Sequence, residues 1–215
     1  FCEDGQYDVA DVTIRDTKKH GWLDAAHILQ VSSNVGMIKI ASEVGSRPLA
    51  TKLEDFGLGS RSGIDLPGEG RGIFPRVETW GTVKLATVSF GQGIGMTGLQ
   101  LTNAFSALAN GGELMRPYVV ERVATDTGNL LFEQRPEALR RVISPATANA
   151  VTQMLELVTA EGGTGTAARI DNWAVAGKTG TAQKVDSVSG GYSHDKRIAS
   201  FIGYAPAYAP RLTIL

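Results

Sequence analysis

Two short clusters in this 215-residue chain carry groups that could do chemistry. Ser32-Ser33-Asn34 gathers two hydroxyls and a carboxamide, and Lys178-Thr179-Gly180-Thr181 sets an ammonium beside two hydroxyls. These are the groups of proton relay and anion binding. Each has an ordinary reading on its own: Ser and Asn near a helix start usually cap it, and Lys on a strand usually faces water. Other patterns are weaker. Gly93-x-Gly95-x-x-Gly98 matches a dinucleotide fingerprint between a strand-like run and a helix, but nothing downstream alternates strand and helix as that fold needs. Gly177-Lys-Thr resembles the end of a phosphate-binding loop, yet Asn172 stands where the first glycine belongs. His20, His27 and His194 have no metal-ligand spacing and read as surface or core histidines. No Asp/Glu pair stands out as a glycosidase couple.

Lys and Arg total 21 against 22 Asp and Glu, and no basic cluster appears. That balance excludes a nucleic-acid binder that works by neutralising phosphates. Gly and Pro, 26 and 8 residues, exceed the usual ~12% and predict many tight turns over a long helical bundle. The single cysteine, Cys2, excludes an internal disulfide framework and a Cys-cluster metal site. No apolar run reaches the ~18 residues of a spanning helix. A start at Phe1 and an end inside the apolar stretch 211–215 predict a piece of a longer protein.

The elements that must hold the two clusters follow from periodicity. Residues 1–20 read as polar and irregular. A helix runs from Asp24, its N-cap, to Ser32-Ser33-Asn34, and a second follows to a stop at Gly45. The first cluster therefore sits at a junction between helices. A third helix covers about 49–56, and the glycines of 57–72 make a loop. Residues 83–90 read as strand-like. A helix over 99–109 is capped by Thr97, 118–124 and 130–133 form a hairpin around Asp126-Thr-Gly-Asn129, and Ser144-Pro145 opens a helix to about 160. Strands at 174–185, 198–205 and 211–215, joined by short links, imply an antiparallel sheet. Segregated helices and strands make the fold class α+β, an antiparallel sheet flanked by helices.

Taken together and in this order, Ser-x-Asn and Lys-Thr-Gly resemble two of the three signature elements of the penicillin-recognising serine acyltransferases. The likeness extends to class B penicillin-binding proteins through Phe56-Gly-Leu-Gly-Ser-Arg-Ser-Gly-Ile-Asp-Leu-Pro-Gly-Glu69, Ser89-Phe-Gly-Gln-Gly93, Thr97-Gly-Leu-Gln-Leu-Thr102, Leu108-Ala-Asn-Gly-Gly112, Val175-Ala-Gly-Lys-Thr-Gly-Thr-Ala-Gln183 and 199–206. It covers essentially the whole chain. Gly98 stands where that family usually has Pro, and Gln92 where an aromatic is common. The resemblance implies a partial penicillin-binding-protein/β-lactamase-like transpeptidase fold, with residues 1–215 as the central and C-terminal part of one domain.

What the family does is then the expectation: a D,D-transpeptidase that cross-links peptidoglycan stem peptides by serine acyl transfer and is a target of β-lactams. By resemblance, Ser32, Asn34 and Lys178 are catalytic: Ser32 in the proton relay, aided by the Lys178 charge, and Asn34 bonding the substrate peptide. Thr179 and Thr181 bind the terminal carboxylate, the Thr181 N–H serves the oxyanion hole, and Gly180 lets substrate approach the strand. The third element, Ser-x-x-Lys, should precede Ser-x-Asn. Its one occurrence is Ser193-His-Asp-Lys196, in the wrong order and in a link between strands, so the nucleophile is expected upstream of Phe1 and the fragment alone is expected to be inactive. No metal or cofactor is implied. Expected partners are stem peptides, β-lactam antibiotics and cell-wall synthesis or divisome proteins, on the outer side of a membrane-anchored parent. Rival readings are a β-lactamase, whose class A form needs a Glu followed four residues later by Asn, absent here, and a β-lactam-sensing or scaffold module.

Overall fold

A β-hairpin opens the chain where the sequence pattern predicts irregular structure. In this computed structural model, residues 1–185 and 192–215 are described, without the side chains of 183–185 and 192–195. Strands β1 (Gln6–Val9) and β2 (Val12–Arg15) pair antiparallel with Tyr7 opposite Ile14. Their alternating Tyr7, Val9, Val12 and Ile14 fit a strand pair, but the turn carries no glycine. Ala10 takes φ +54° there, a conformation that Cβ crowding disfavours in L-residues, so turn chemistry gives no local signal. Packing decides it: Val9 and Ile14 are buried with Ile38 and Ala86.

Helix α1 (Ala25–Val31) starts at Asp24, whose carboxylate accepts from the His27 N–H at 2.8 Å. Helix α2 (Asn34–Val44) ends at Gly45, φ +84°, and α3 (Ser46–Asp55) follows at once. The first two helices meet closely at Gly36, where a Cβ would lie 2.6–2.9 Å from three side-chain carbons of Ile28. Helix α4 (Thr82–Ser89) replaces the strand-like run expected at 83–90. Its Val and Thr content favours strand weakly, and packing on two sides of the helix overrides that preference, Ala86 against Val9, Ile14 and Ile38 and Val88 against Ala50 and Trp80.

The glycine pattern at 93–98 thus lies between two helices. Lys84 donates to the Gly93 carbonyl at 2.7 Å, and a Cβ on Gly93 would meet that ammonium at 2.6 Å. Gly95 exchanges both backbone bonds with Ile73. Helix α5 (Gly98–Ala109) begins with a capping box between Thr97 and Gln100. The buried Gln100 amide also donates to the Ser60 and Arg71 carbonyls, which fastens the 57–72 loop to the helix start.

Short strands β3 (Glu113–Met115), β4 (Arg122–Ala124), β5 (Leu130–Glu133) and β6 (Ala138–Arg141) then pair as β3–β6 and β4–β5, the second pair being the hairpin expected around 126–129. Helix α6 (Pro145–Thr159) has Ser144 as its N-cap and Pro145 in its first turn. The largest sheet has the order β7 (Ala176–Val185), β8 (Tyr192–Ala205), β9 (Leu212–Ile214), all antiparallel. Ala176 and Tyr204 of this sheet are buried with Leu155 of α6, and the Tyr204 hydroxyl lies 2.7 Å from Thr152 Oγ1. Sheet and helices are therefore layered, as the α+β expectation required.

Candidate active site

Ser32 closes α1 in the left-handed conformation, φ 58° and ψ 48°, and turns the chain sharply into α2. A serine pays roughly 1 kcal/mol to sit there, so something must hold the corner. Three contacts do. Ser33, only 1% exposed, caps α2 by accepting from the Gly36 N–H at 3.0 Å and donates its own proton to Asp16 Oδ2 at 2.6 Å. Asp16 Oδ1 accepts from the Val35 N–H at 3.0 Å. The Asn34 amide donates to the Arg15 carbonyl at 2.9 Å. The chain leaving β2 thus clamps the Ser-Ser-Asn corner from outside.

Lys178 arrives from β7, 146 residues away, and its Nζ donates to Ser32 Oγ at 2.7 Å and to the Thr179 carbonyl at 2.9 Å. The expected meeting of these two side chains is within hydrogen-bond range. An ammonium only donates, so Ser32 Oγ accepts here, and the serine proton is left to point at a third group. No carboxylate pairs with Lys178 among the described residues. Burial pushes its pKa down from 10.5 to about 8, because charge is disfavoured away from water. The pair can therefore pass a proton near neutral pH.

A segment that the sequence reading left without a role, 160–165, joins α1 to β7. Gln30 donates to the Glu161 carbonyl at 3.1 Å, and the Thr164 N–H donates to the Gln30 carbonyl at 3.3 Å. Thr164 Oγ1 then lies 2.7 Å from Thr179 Oγ1. Among the described residues β7 pairs only with β8, so its other edge is open along Lys178–Thr181. At Gly180 a Cβ would come within 2.6 Å of the Ser200 Oγ on the neighbouring strand, a contact that rotation of that hydroxyl can relieve.

Ser32, Lys178 and Thr179 are thus joined by bonds or one shared loop. Asn34 flanks the corner but spends its amide on Arg15, and Thr181 is exposed on the strand. Asp16 and Thr164 are the additions. Nothing in local sequence marks them, because their partners lie 17 and 15 residues away. His27 is exposed and pairs with Asp24 at 2.7 Å, as a surface histidine would. The side chains of Ser193 and His194 lie outside the described ones.

Stage V sporulation protein D of Bacillus subtilis is 40% identical over 217 residues, taking in 100% of this chain and 33% of the relative. Peptidoglycan D,D-transpeptidase FtsI of Escherichia coli K12 is 34% identical over 202 residues, 94% of this chain and 32% of the relative. The chain spans about a third of the length of these curated relatives. The crystal structure of penicillin binding protein 3 from Mycobacterium tuberculosis complexed with aztreonam superposes with a TM-score of 0.89 at 35% identity, over 96% of this chain and 48% of that one. Residues 1–215 match the penicillin binding protein transpeptidase domain. The match runs over every residue, so the chain belongs to that family.

Proposed function

We propose that this chain supplies the proton-relay and substrate-binding half of a serine-type peptidoglycan D,D-transpeptidase. The observation that carries the reading is the 2.7 Å contact between Ser32 and Lys178, beside a strand with an open edge. A stem peptide laid along that edge adds to the sheet as a strand. Its terminal carboxylate meets the Thr179 and Thr181 hydroxyls, and the carbonyl before the terminal D-Ala meets the Thr181 N–H.

In this reading a serine hydroxyl attacks the penultimate D-Ala carbonyl. Its proton passes through the Ser32–Lys178 pair to the departing amine, and the terminal D-Ala leaves. An amine of a neighbouring stem peptide then displaces the serine and forms the cross-link. The attacking serine belongs to a Ser-x-x-Lys pair upstream of Phe1, since Ser193 lies on β8 and out of the family's order. β-Lactams occupy the same groups as acylating substrate mimics, in keeping with the aztreonam complex of the relative. Cell-wall synthesis or divisome proteins are the corresponding partners. Because peptidoglycan lies outside the cytoplasmic membrane, the reading puts this domain on the outer face of an anchored parent.

Labelling with a fluorescent penicillin tests it. The full-length protein should take one label, on a serine upstream of Phe1, while the 215-residue chain alone takes none. Ser32→Ala and Lys178→Ala should each slow labelling by roughly 100-fold or more, the usual scale of a proton-transfer group. Stoichiometric label on Ser193, or unchanged rates in both variants, refutes the assignment.

A further inference from the structure

A second concavity, of about 480 Å³, opens between the C-terminal end of α6 and the turn that leads into β7. Its lining includes Glu156, Glu161, Arg169, Asp171, Asn172 and Trp173. The volume is in the range of small-molecule clefts, roughly 300–1,000 Å³. Trp173 is 58% exposed, unusual for so large an apolar surface. The turn that carries it is closed by an Ile170–Trp173 backbone bridge, which sets where the Trp173 backbone stands.

Most of the polar groups around this indole are uncommitted among the described residues, Glu156 being the exception. Glu156 accepts from the Tyr208 hydroxyl at 2.5 Å. Arg169, Asp171 and Glu161 take part in no ion pair, and the side chains of Asn172 and Trp173 make no hydrogen bond, among the described residues. Donors and acceptors of both charge signs therefore share one cleft with an exposed indole without satisfying one another. A cation in the cleft would meet Arg169, and an anion would meet three carboxylates. A neutral ring with hydroxyl and amide groups suits all of them: its face covers the indole, its hydroxyls donate to the carboxylates, and its oxygens accept from Arg169 and Asn172.

The place of the cleft fits that chemistry. Ala160 and Glu161 line it and belong to the same segment whose Thr164 meets Thr179. Val175, also in the lining, precedes Lys178 by three residues, or about 10 Å along a strand. We propose that the Trp173 cleft is a saccharide subsite that holds an N-acetylated sugar of the glycan strand to which the stem peptide is attached. The glycan assignment rests on the transpeptidase reading above; the saccharide chemistry rests on the cleft.

Titration of the protein with an N-acetylated chito-oligosaccharide, followed by saturation-transfer NMR and tryptophan fluorescence, tests it. Saturable binding at millimolar sugar is expected. Trp173→Ala should weaken it at least about tenfold, a loss of about 1.4 kcal/mol. Asp171→Asn should weaken it less, and Lys178→Met should leave it unchanged. Absence of saturable binding, or binding indifferent to both Trp173→Ala and Asp171→Asn, overturns the proposal. Penicillin labelling in the same preparations separates the two readings. Normal labelling without sugar binding removes the saccharide subsite and leaves the transpeptidase standing. Sugar binding without labelling of the full-length protein removes the glycan-strand assignment and the transpeptidase together.

Discussion

Replacing Lys178 by Met should change how stability responds to alkali. The ammonium is buried against Ser32 and the Thr179 carbonyl, and burial lowers its pKa from 10.5 to about 8. Between those values the unfolded chain holds a proton that the folded chain has released. Stability therefore rises with pH across that window. Below about pH 8 the full cost of the buried charge is present, and above 10.5 it is gone. A shift of this size corresponds to about 3 kcal/mol at 1.36 kcal/mol per unit, and partial solvent access trims it to about 2–3 kcal/mol.

Met keeps most of the stem volume, so Lys178→Met subtracts the two hydrogen bonds by an amount nearly constant with pH. Every other lysine and tyrosine titrates in both proteins and cancels in the difference. Urea unfolding at pH 7, 8, 9 and 10.5 should show the wild type gaining about 2–3 kcal/mol on the variant, with most of the gain between pH 8 and 10.5. A difference that is flat to within about 0.5 kcal/mol, or that falls with pH, would show that Lys178 is solvated in the folded protein, and the relay argument would fail with it.

Asp16→Ala strips the buried Ser33 hydroxyl of its acceptor and the Val35 N–H of its cap. It should cost about 2–4 kcal/mol in denaturant unfolding, with Asp16→Asn recovering about half; a loss under about 0.5 kcal/mol would mean the corner is held otherwise. Gly36→Ala gains helix propensity of about 1 kcal/mol but drives a Cβ to 2.6 Å from Ile28, so a net loss of about 1–2 kcal/mol and a drop in melting temperature of roughly 3–6 °C are expected. A higher melting temperature in that variant would mean α1 and α2 are not so closely packed.

The parts of the fold that sequence made legible are those whose signal is local. Asp24, Gly45, Thr97 and Ser144 mark helix ends because each end is closed by atoms within a few residues. The sheet β7–β8–β9 could be anticipated because its links are short. The opening hairpin escaped because Ala10 takes a glycine-like conformation that is held by strand pairing and by burial of Val9 and Ile14, not by turn residues. Residues 83–90 were misread for a related reason. Val83 and Val88 suit either state, and the choice falls to partners on α2 and β1 that no window of the sequence contains.

The candidate site divides along the same line. Ser32 and Lys178 are individually unremarkable, and no periodicity in the chain says that they meet; the resemblance supplied the pairing and the fold supplies the 2.7 Å contact. What the resemblance left out is how a strained serine corner is kept in place. That task falls to Asp16, which follows directly on β2, and to the 160–165 segment, which reaches from Gln30 to Thr179. Neither side of the Ser32–Lys178 contact is held by its own element alone. Ser32 depends on the hairpin for its backbone conformation, and β7 depends on a loop after α6 for its tie to α1. A change in the hairpin or in that loop should therefore reach the Ser32–Lys178 contact without touching either residue.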